Sequence, residues 1–140
     1  AQNRLGLLYN QGQGVPQNPL LAKQWFEKAA EQGDAGAQVN LGTLYLLGQG
    51  ALESDQMALF WFRRAAEQQE MLAFAKLGFM YEHGRGVTQD FVQAYMWYNL
   101  SAVRGEKRAL ASRNQLAKQM TPAQVATAQQ LAREWKPKPK

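Results

Sequence analysis

The stretch LGTLYLLGQG, residues 41–50, occurs three times in this chain with its glycines in place. LGLLYNQGQG precedes it at residues 5–14, and LGFMYEHGRG follows it at residues 77–86. The copies begin 36 residues apart, from 41 − 5 and 77 − 41. A period between about 20 and 50 residues is typical of a repeat array, in which each unit buries its apolar face by stacking on its neighbours.

The second half of each unit has the spacing of a helix with one apolar face. In the first unit this face consists of Ala22, Trp25, Phe26, Ala29 and Ala30, at i, i+3, i+4, i+7 and i+8. The same pattern predicts that the repeated tryptophans, Trp25, Trp61 and Trp97, belong to the core. Asn18, Ser54 and Asp90 stand just before these helices, and their short side-chain oxygens predict N-caps. Each unit is therefore predicted to be a pair of helices.

The glycine loop between the two helices has two interpretations, a hinge or a phosphate-binding loop. Gly48 follows the last apolar position of the first helix, about 37–47, as a left-handed C-terminal residue does. A phosphate loop needs a preceding strand, or a lysine and a hydroxyl after the glycines, and no copy has them. The loop is therefore predicted to be a hinge. Gly42 and Gly78, inside the first helices, together with Gly6, predict a close approach by another helix.

These residues carry a family resemblance. AQVNLGTLYLLGQG at residues 37–50, followed by ALFWFRRAAEQ at residues 58–68, is similar to the SEL-1-like repeat, a relative of the tetratricopeptide repeat. The resemblance covers residues 1 to about 108. It implies an all-α fold, a right-handed α-solenoid of antiparallel helix pairs, that acts as an adaptor between proteins without catalytic residues of its own. Gln69 stands where the other units have Gly33 and Gly105, so we expect the turn there to differ in detail.

The predicted organisation is a single domain, residues 1–135, with repeats at 1–36, 37–72 and 73–108. Residues 109–135 are predicted to form a shortened fourth unit that caps the array, because Arg113, Asn114 and Ala117 replace the repeat's leucine, glycine and tyrosine and no glycine loop follows. Its second helix is predicted to begin at a capping box, formed by Thr121, Pro122 and Gln124. Residues 136–140, KPKPK, are predicted to be a disordered basic tail. The chain opens without methionine in the middle of a helical pattern, so we expect an upstream leader or further repeats.

The net charge of +5 is confined to one end of the chain. Residues 1–105 hold eight Lys or Arg against nine Asp or Glu, and residues 106–140 hold eight against two. A nucleic-acid binder would more often spread its cations along one face with aromatic residues between them. Binding of nucleic acid or an anionic surface remains the alternative function, and its candidate residues are Arg108, Arg113, Lys118, Arg133 and the tail.

The sequence offers little for catalysis or metal binding. It has no cysteine, which excludes thiolate zinc sites and a cysteine nucleophile. His83 is the only histidine and is predicted to be an exposed residue at the end of a first helix. We therefore expect no catalytic residue, metal or cofactor. The sequence does not identify the compartment.

The predicted partner-binding surface lies on the first helices, which the resemblance places on the concave side of the array. A helical projection of 100° per residue assigns one face of each first helix to the core and the opposite face to a protein or peptide partner. The residues predicted on that opposite face are Leu7, Asn10, Val39, Thr43, Leu46, Leu47, Phe79, Glu82 and His83. An exposed apolar strip rimmed by polar groups usually marks an interaction surface. The alternative is that neighbouring first helices bury some of these residues.

Overall fold

Helices form every regular element that the computed structural model describes, which covers residues 6, 7, 11, 18–48 and 54–137. The helices with defined bounds are α1 (Pro19–Glu31), α2 (Ala35–Leu47), α3 (Asp55–Glu67), α4 (Met71–His83), α5 (Phe91–Ala102), α6 (Lys107–Ala117) and α7 (Pro122–Glu134). The chain forms two compact units, residues 1–65 and 66–140. Helix α3 begins in the first unit, and its last two residues, 66 and 67, belong to the second.

The second helices α1, α3 and α5 begin at the predicted caps. In each case the cap side chain accepts a hydrogen bond from the backbone N–H three residues later. The donor–acceptor distances are 3.1 Å at Asn18 Oδ1, 3.2 Å at Ser54 Oγ and 3.1 Å at Asp90 Oδ1. Each bond satisfies an amide that has no partner within its own helix. Three different residue types therefore perform one role at a spacing of 36 residues, and the cap prediction is confirmed.

The hinge prediction is confirmed at Gly48. This residue follows α2 with φ of 71°, in the left-handed region, and its N–H donates to the carbonyl of Leu44. Gly84 follows α4 with φ of 66° and donates to Met80 in the same way. Only glycine adopts this conformation without steric cost, which explains why the glycine recurs. Gly12, Gly14 and Gly50 lie outside the described residues.

The turn at Gln69 has a positive φ, like its glycine equivalents, but it differs from them in detail, as predicted. Gln69 has φ of 61°, against 94° for Gly33 and 100° for Gly105. Its N–H donates to Ala66 over 2.8 Å, the same three-residue bond that closes the other two turns. The glutamine thus adopts a backbone conformation that is unfavourable for a residue with a Cβ.

We expect Gln69→Gly to raise the free energy of unfolding by about 1 kcal/mol, because it relieves a positive φ in a residue with a Cβ. The change also removes a hydrogen bond of 3.0 Å that Gln69 Oε1 accepts from Arg104, but this bond is exposed and contributes less. Urea denaturation would measure the difference. As a matched control, Gly105→Ala should destabilise, and a loss of stability in the glycine variant would mean that the bond to Arg104 outweighs the strain.

The core of the first unit joins three helices. Helix α1 contributes all the residues of its predicted apolar face except Trp25, which is half-buried. Residues of α2 and α3 complete the cluster. Its buried members are Ala22, Phe26, Ala29, Ala30, Ala37, Leu41, Leu44 and Trp61. Of the three predicted core tryptophans, Trp61 is buried, whereas Trp25 and Trp97 are half-buried. The large aromatic residue at the centre is Phe26, at 1% exposure.

The second unit packs α4 and α5 antiparallel and covers α5 with α6 and α7. Ser101 Oγ donates to the carbonyl of Met71 over 2.8 Å, which joins the end of α5 to the start of α4. Helix α7 begins with the predicted capping box, since Thr121 Oγ1 accepts from Gln124 N over 3.1 Å and Gln124 Oε1 accepts from Thr121 N over 2.9 Å. The division into one domain, three repeats, cap and tail stays a prediction.

Glycines inside the first helices permit contact with an aromatic ring. A Cβ at Gly42 would lie 2.7 Å from the Phe62 ring, and one at Gly78 would lie 2.6 Å from the Tyr98 ring. Both distances are far below van der Waals contact. Gly6, one period earlier, faces Phe26 in the same way. The predicted close approach of another helix is confirmed at all three positions.

Candidate functional site

Helix α2 is covered on two sides, by α1 and by α3. Leu41 lies in one apolar cluster with Phe26 of α1 and Trp61 of α3. The buried residues of α2 are Ala37, Gln38, Val39, Leu41, Gly42, Leu44 and Leu46. At 100° per residue they span roughly 220° of the helix circumference. The side that stays accessible, the open arc of α2, consists of Gly36, Asn40, Thr43 and Leu47.

Helix α4 has the same division, displaced by 36 residues. Its buried residues are Ala73, Phe74, Leu77, Gly78 and Met80. The open arc of α4 consists of Leu72, Lys76, Phe79 and His83. Leu72 is 43% exposed and Phe79 is 36% exposed, so this arc presents two apolar side chains on either side of a lysine. Positions at i, i+4, i+7 and i+11 lie within about 60° of each other on a helix.

The predicted surface is wrong at two of its residues. Val39 is 4% exposed and Leu46 is 7% exposed, so neither is accessible to a partner. The projection assumed that α2 buries only one side, whereas α1 and α3 pack on it from different directions and bury a wider arc. This outcome agrees with the alternative that neighbouring helices cover some of the strip, although the helices that cover α2 here are second helices.

The other predicted residues differ in accessibility. Leu47 is 58% exposed, and Thr43 is half-buried with its hydroxyl donating to the carbonyl of Val39 over 2.8 Å. Leu7 is half-buried against the core of the first unit, and Asn10 lies outside the described residues. That these residues bind a partner stays a prediction.

Phe79, Glu82 and His83 occupy the C-terminal end of α4. His83 is the last residue of the helix and is exposed, as predicted, and its ring lies 4.5 Å from that of Phe79, centroid to centroid. Glu82 is half-buried and accepts a hydrogen bond of 2.7 Å from the hydroxyl of Tyr98. Burial, and then this bond, raise the pKa of Tyr98 well above its usual range, so the phenol stays neutral and donates.

Comparison with known proteins identifies the repeats. The sequence model of the Sel1 repeat matches residues 1–34, 35–70 and 73–105, which is most of the chain. The chain belongs to the Sel1 repeat family. The all-α fold class and the antiparallel helix pairs predicted from the sequence are those of this family.

Two solved structures are similar to this Sel1 repeat chain. A Sel1 repeat protein from Oxalobacter formigenes is 42% identical, with a TM-score of 0.74 over 80% of this chain and 46% of that protein. The protein c5321, a protective antigen present in uropathogenic Escherichia coli strains and displaying an SLR fold, is 29% identical, with a TM-score of 0.79 over 95% of this chain and 36% of that protein. The chain thus spans less than half the length of either. No curated protein sequence matches it.

Sel1 repeats generally act as non-catalytic scaffolds for interactions between proteins. Among the described residues, no group of histidine and carboxylate side chains is arranged to hold a metal ion. None of the described helices is both long and apolar enough to cross a membrane.

The basic residues of the alternative function lie on several elements of the second unit of this Sel1 repeat chain. Arg113 is half-buried and donates to Asn99 Oδ1 on α5 over 2.6 Å, and Arg133 donates to Gln130 over 2.6 Å within α7. Arg108 is in the first turn of α6, and Lys118 follows its end; both are exposed. Residues 138–140 of the tail lie outside the described residues.

Two residues in the open arc of α4 of this Sel1 repeat chain, Leu72 and Lys76, were not predicted from the sequence. The sequence does show that these two residues share a face with their equivalents in the preceding unit, because the period of 36 residues places Leu72 in register with Gly36 and Lys76 in register with Asn40. Choosing the correct face of α2 required knowing that two helices cover it. That information comes from packing between repeats, which hydrophobic spacing within one helix does not contain.

Proposed function

We propose that this chain is a non-catalytic scaffold that binds another protein or peptide along the open arcs of its first helices, the concave groove of the predicted solenoid. The observation that carries the proposal is the exposure of apolar residues on those arcs, Leu47 on α2 and Leu72 and Phe79 on α4. Exposed apolar side chains next to polar ones are typical of interaction surfaces. The family's general role as a protein-binding scaffold supports the same function.

Phe79→Asp tests this proposal, and Phe60→Asp is its matched control. Phe79 is on the open arc of α4, whereas Phe60 is on α3, a second helix, and is 46% exposed. A photoreactive phenylalanine at either position, in the full-length protein in its native organism, would identify contacting proteins by mass spectrometry. We expect a specific crosslink from position 79 and none from position 60.

The affinity for the crosslinked protein would then be measured with purified variants. Phe79→Asp should weaken binding at least tenfold, because it places a charge in a desolvated contact, and the melting temperature should change by only a few degrees. Phe60→Asp should bind like the parent. Loss of binding only in the Phe60 variant would place the interaction surface on the second helices and contradict the proposal.

A further inference from the structure

Lys76 is a half-buried cation without a carboxylate partner. Among the described residues no acidic side chain forms an ion pair with its ammonium group. Burial, and then the positive charge of Arg108, lower the pKa of Lys76. A partly desolvated charge beside a like charge destabilises the protein unless an anion neutralises it. A negatively charged group from a partner would therefore be stabilising beside Lys76.

The two cations lie on helices that hydrogen bonds bring together on one side of the second unit. The hydroxyl of Tyr98, on α5, donates to Glu82 of α4 over 2.7 Å, and Arg113 of α6 donates to Asn99 of α5 over 2.6 Å. Helices α4 and α6 both run antiparallel to α5, so their N-terminal halves lie at the same end. Lys76 is in the second turn of α4, and Arg108 is in the first turn of α6.

The acidic residues at that end are already engaged with backbone amides. Glu70 caps α4 by accepting from Leu72 N over 3.5 Å, and Glu106 caps α6 by accepting from Arg108 N over 2.9 Å. Both carboxylates complement the positive ends of their helix dipoles. The carboxylate of Glu82 lies at the opposite end of α4 and would repel a second acid there. An incoming acidic group is therefore directed towards Lys76.

We propose that Lys76 and Arg108 bind an acidic side chain within a segment of a partner protein, whose neighbouring apolar residues contact Leu72 and Phe79. This inference rests on the proposed function and specifies the chemistry of the partner. Leu72 precedes Lys76 by four residues and Phe79 follows it by three, and both are exposed. A segment that contacts both must continue beyond its carboxylate in each direction, so the acid is a Glu or Asp side chain and not a chain terminus.

The experiment selects peptides that bind the full chain from a display library of random twelve-residue sequences. The C-terminus of each peptide is blocked. We expect the selected peptides to be enriched in Glu or Asp flanked by apolar residues. Lys76→Met should weaken a selected peptide at least tenfold, as should replacing its acidic residue with Gln or Asn. The two changes combined should weaken binding no further, because they remove one interaction. Lys118→Met, an exposed lysine of the same unit, controls for net charge and should bind like the parent.

The stability of the free protein gives a second readout. Lys76→Met removes a half-buried unpaired charge and keeps the aliphatic stem, so the melting temperature should stay the same or rise while binding falls. A fall in melting temperature together with a loss of binding would indicate a structural role and overturn the inference.

Several outcomes separate this inference from the proposed function. Peptides without acidic enrichment that are sensitive to Phe79→Asp but not to Lys76→Met would overturn the inference and leave the proposed function intact. Insensitivity to both variants, or the absence of any selected peptide, would overturn both. Binding that requires a free C-terminal carboxylate would overturn the assignment to a side chain. If a single-stranded oligonucleotide displaced the peptide, and its own binding were lost in the Lys76→Met variant, Lys76 and Arg108 would form a nucleic-acid site and the inference would be overturned.

Discussion

Trp61→Ala is expected to lower the free energy of unfolding by about 3–5 kcal/mol. The side chain is 7% exposed and joins α3 to the core of the first unit, in one cluster with Leu41 and Leu44 of α2. Truncation removes a large apolar contact and leaves a cavity that Phe62, already packed against Gly42, cannot fill. Because each helix pair of a repeat array is stabilised by its neighbours, the loss should also lower the cooperativity of unfolding. Chemical denaturation followed by circular dichroism would measure both effects.

Trp61→Phe provides the matched control for this prediction. The indole N–H of Trp61 is buried and has no acceptor among the described residues, so losing it removes no hydrogen bond. Phenylalanine keeps most of the aromatic packing, and we expect less than half the cost of the alanine variant. Gln24→Ala, at an exposed position of α1, should be nearly neutral. If the alanine change at Trp61 were as mild as the one at Gln24, the core assignment would be wrong.

Gly78→Ala is expected to destabilise the protein by about 1–3 kcal/mol, although alanine is the better helix former by about 1 kcal/mol. The new methyl group would lie 2.6 Å from Cδ1 of Tyr98 and 2.9 Å from Cγ, which belong to the body of a buried ring. Relieving the overlap requires α4 and α5 to separate or the ring to turn. Either movement weakens the bond from the Tyr98 hydroxyl to Glu82.

A double-mutant cycle separates this overlap from other effects. Tyr98→Leu removes the ring, so adding Gly78→Ala to that variant should cost much less than it does in the parent protein. Thermal or urea unfolding of the four proteins gives the coupling. Equal costs in the two backgrounds would show that the methyl group does not meet the ring, and increased stability of the single variant would show that the helices are farther apart.

The sequence predicted the features that depend on one residue and its neighbours in the chain. Gly48 was predictable as a left-handed residue from its place after an apolar run, and Asn18 as a cap from its place before one. Gly42 was predictable as a contact position because glycine is otherwise unfavourable inside a helix. Each of these depends on backbone geometry that residue type restricts directly.

The features that the sequence did not predict depend on contacts between helices. Val39 and Leu46 have the spacing of an outer face, yet they are buried because α1 and α3 together cover more of α2 than one neighbour would. Trp135 lies just beyond α7. Its ring contacts Phe74 and Trp97, at centroid distances of 5.1 and 5.9 Å, and no spacing within α7 could have identified these partners.

Under the proposed function, the open arcs also determine how such a scaffold can change its partner. At one position of the arc, α2 carries Gly36 and α4 carries Leu72, and at the next position they carry Asn40 and Lys76. The equivalent residues of α6, the first helix of the C-terminal pair, are Arg108 and Ser112. The buried position between them is Ala37, Ala73 and Ala109, without variation. Residues that maintain the fold and residues available for recognition are thus separate sets within each helix. A new binding preference can arise by exchanging side chains on the arc, one unit at a time, while the packing that keeps the chain folded is inherited unchanged.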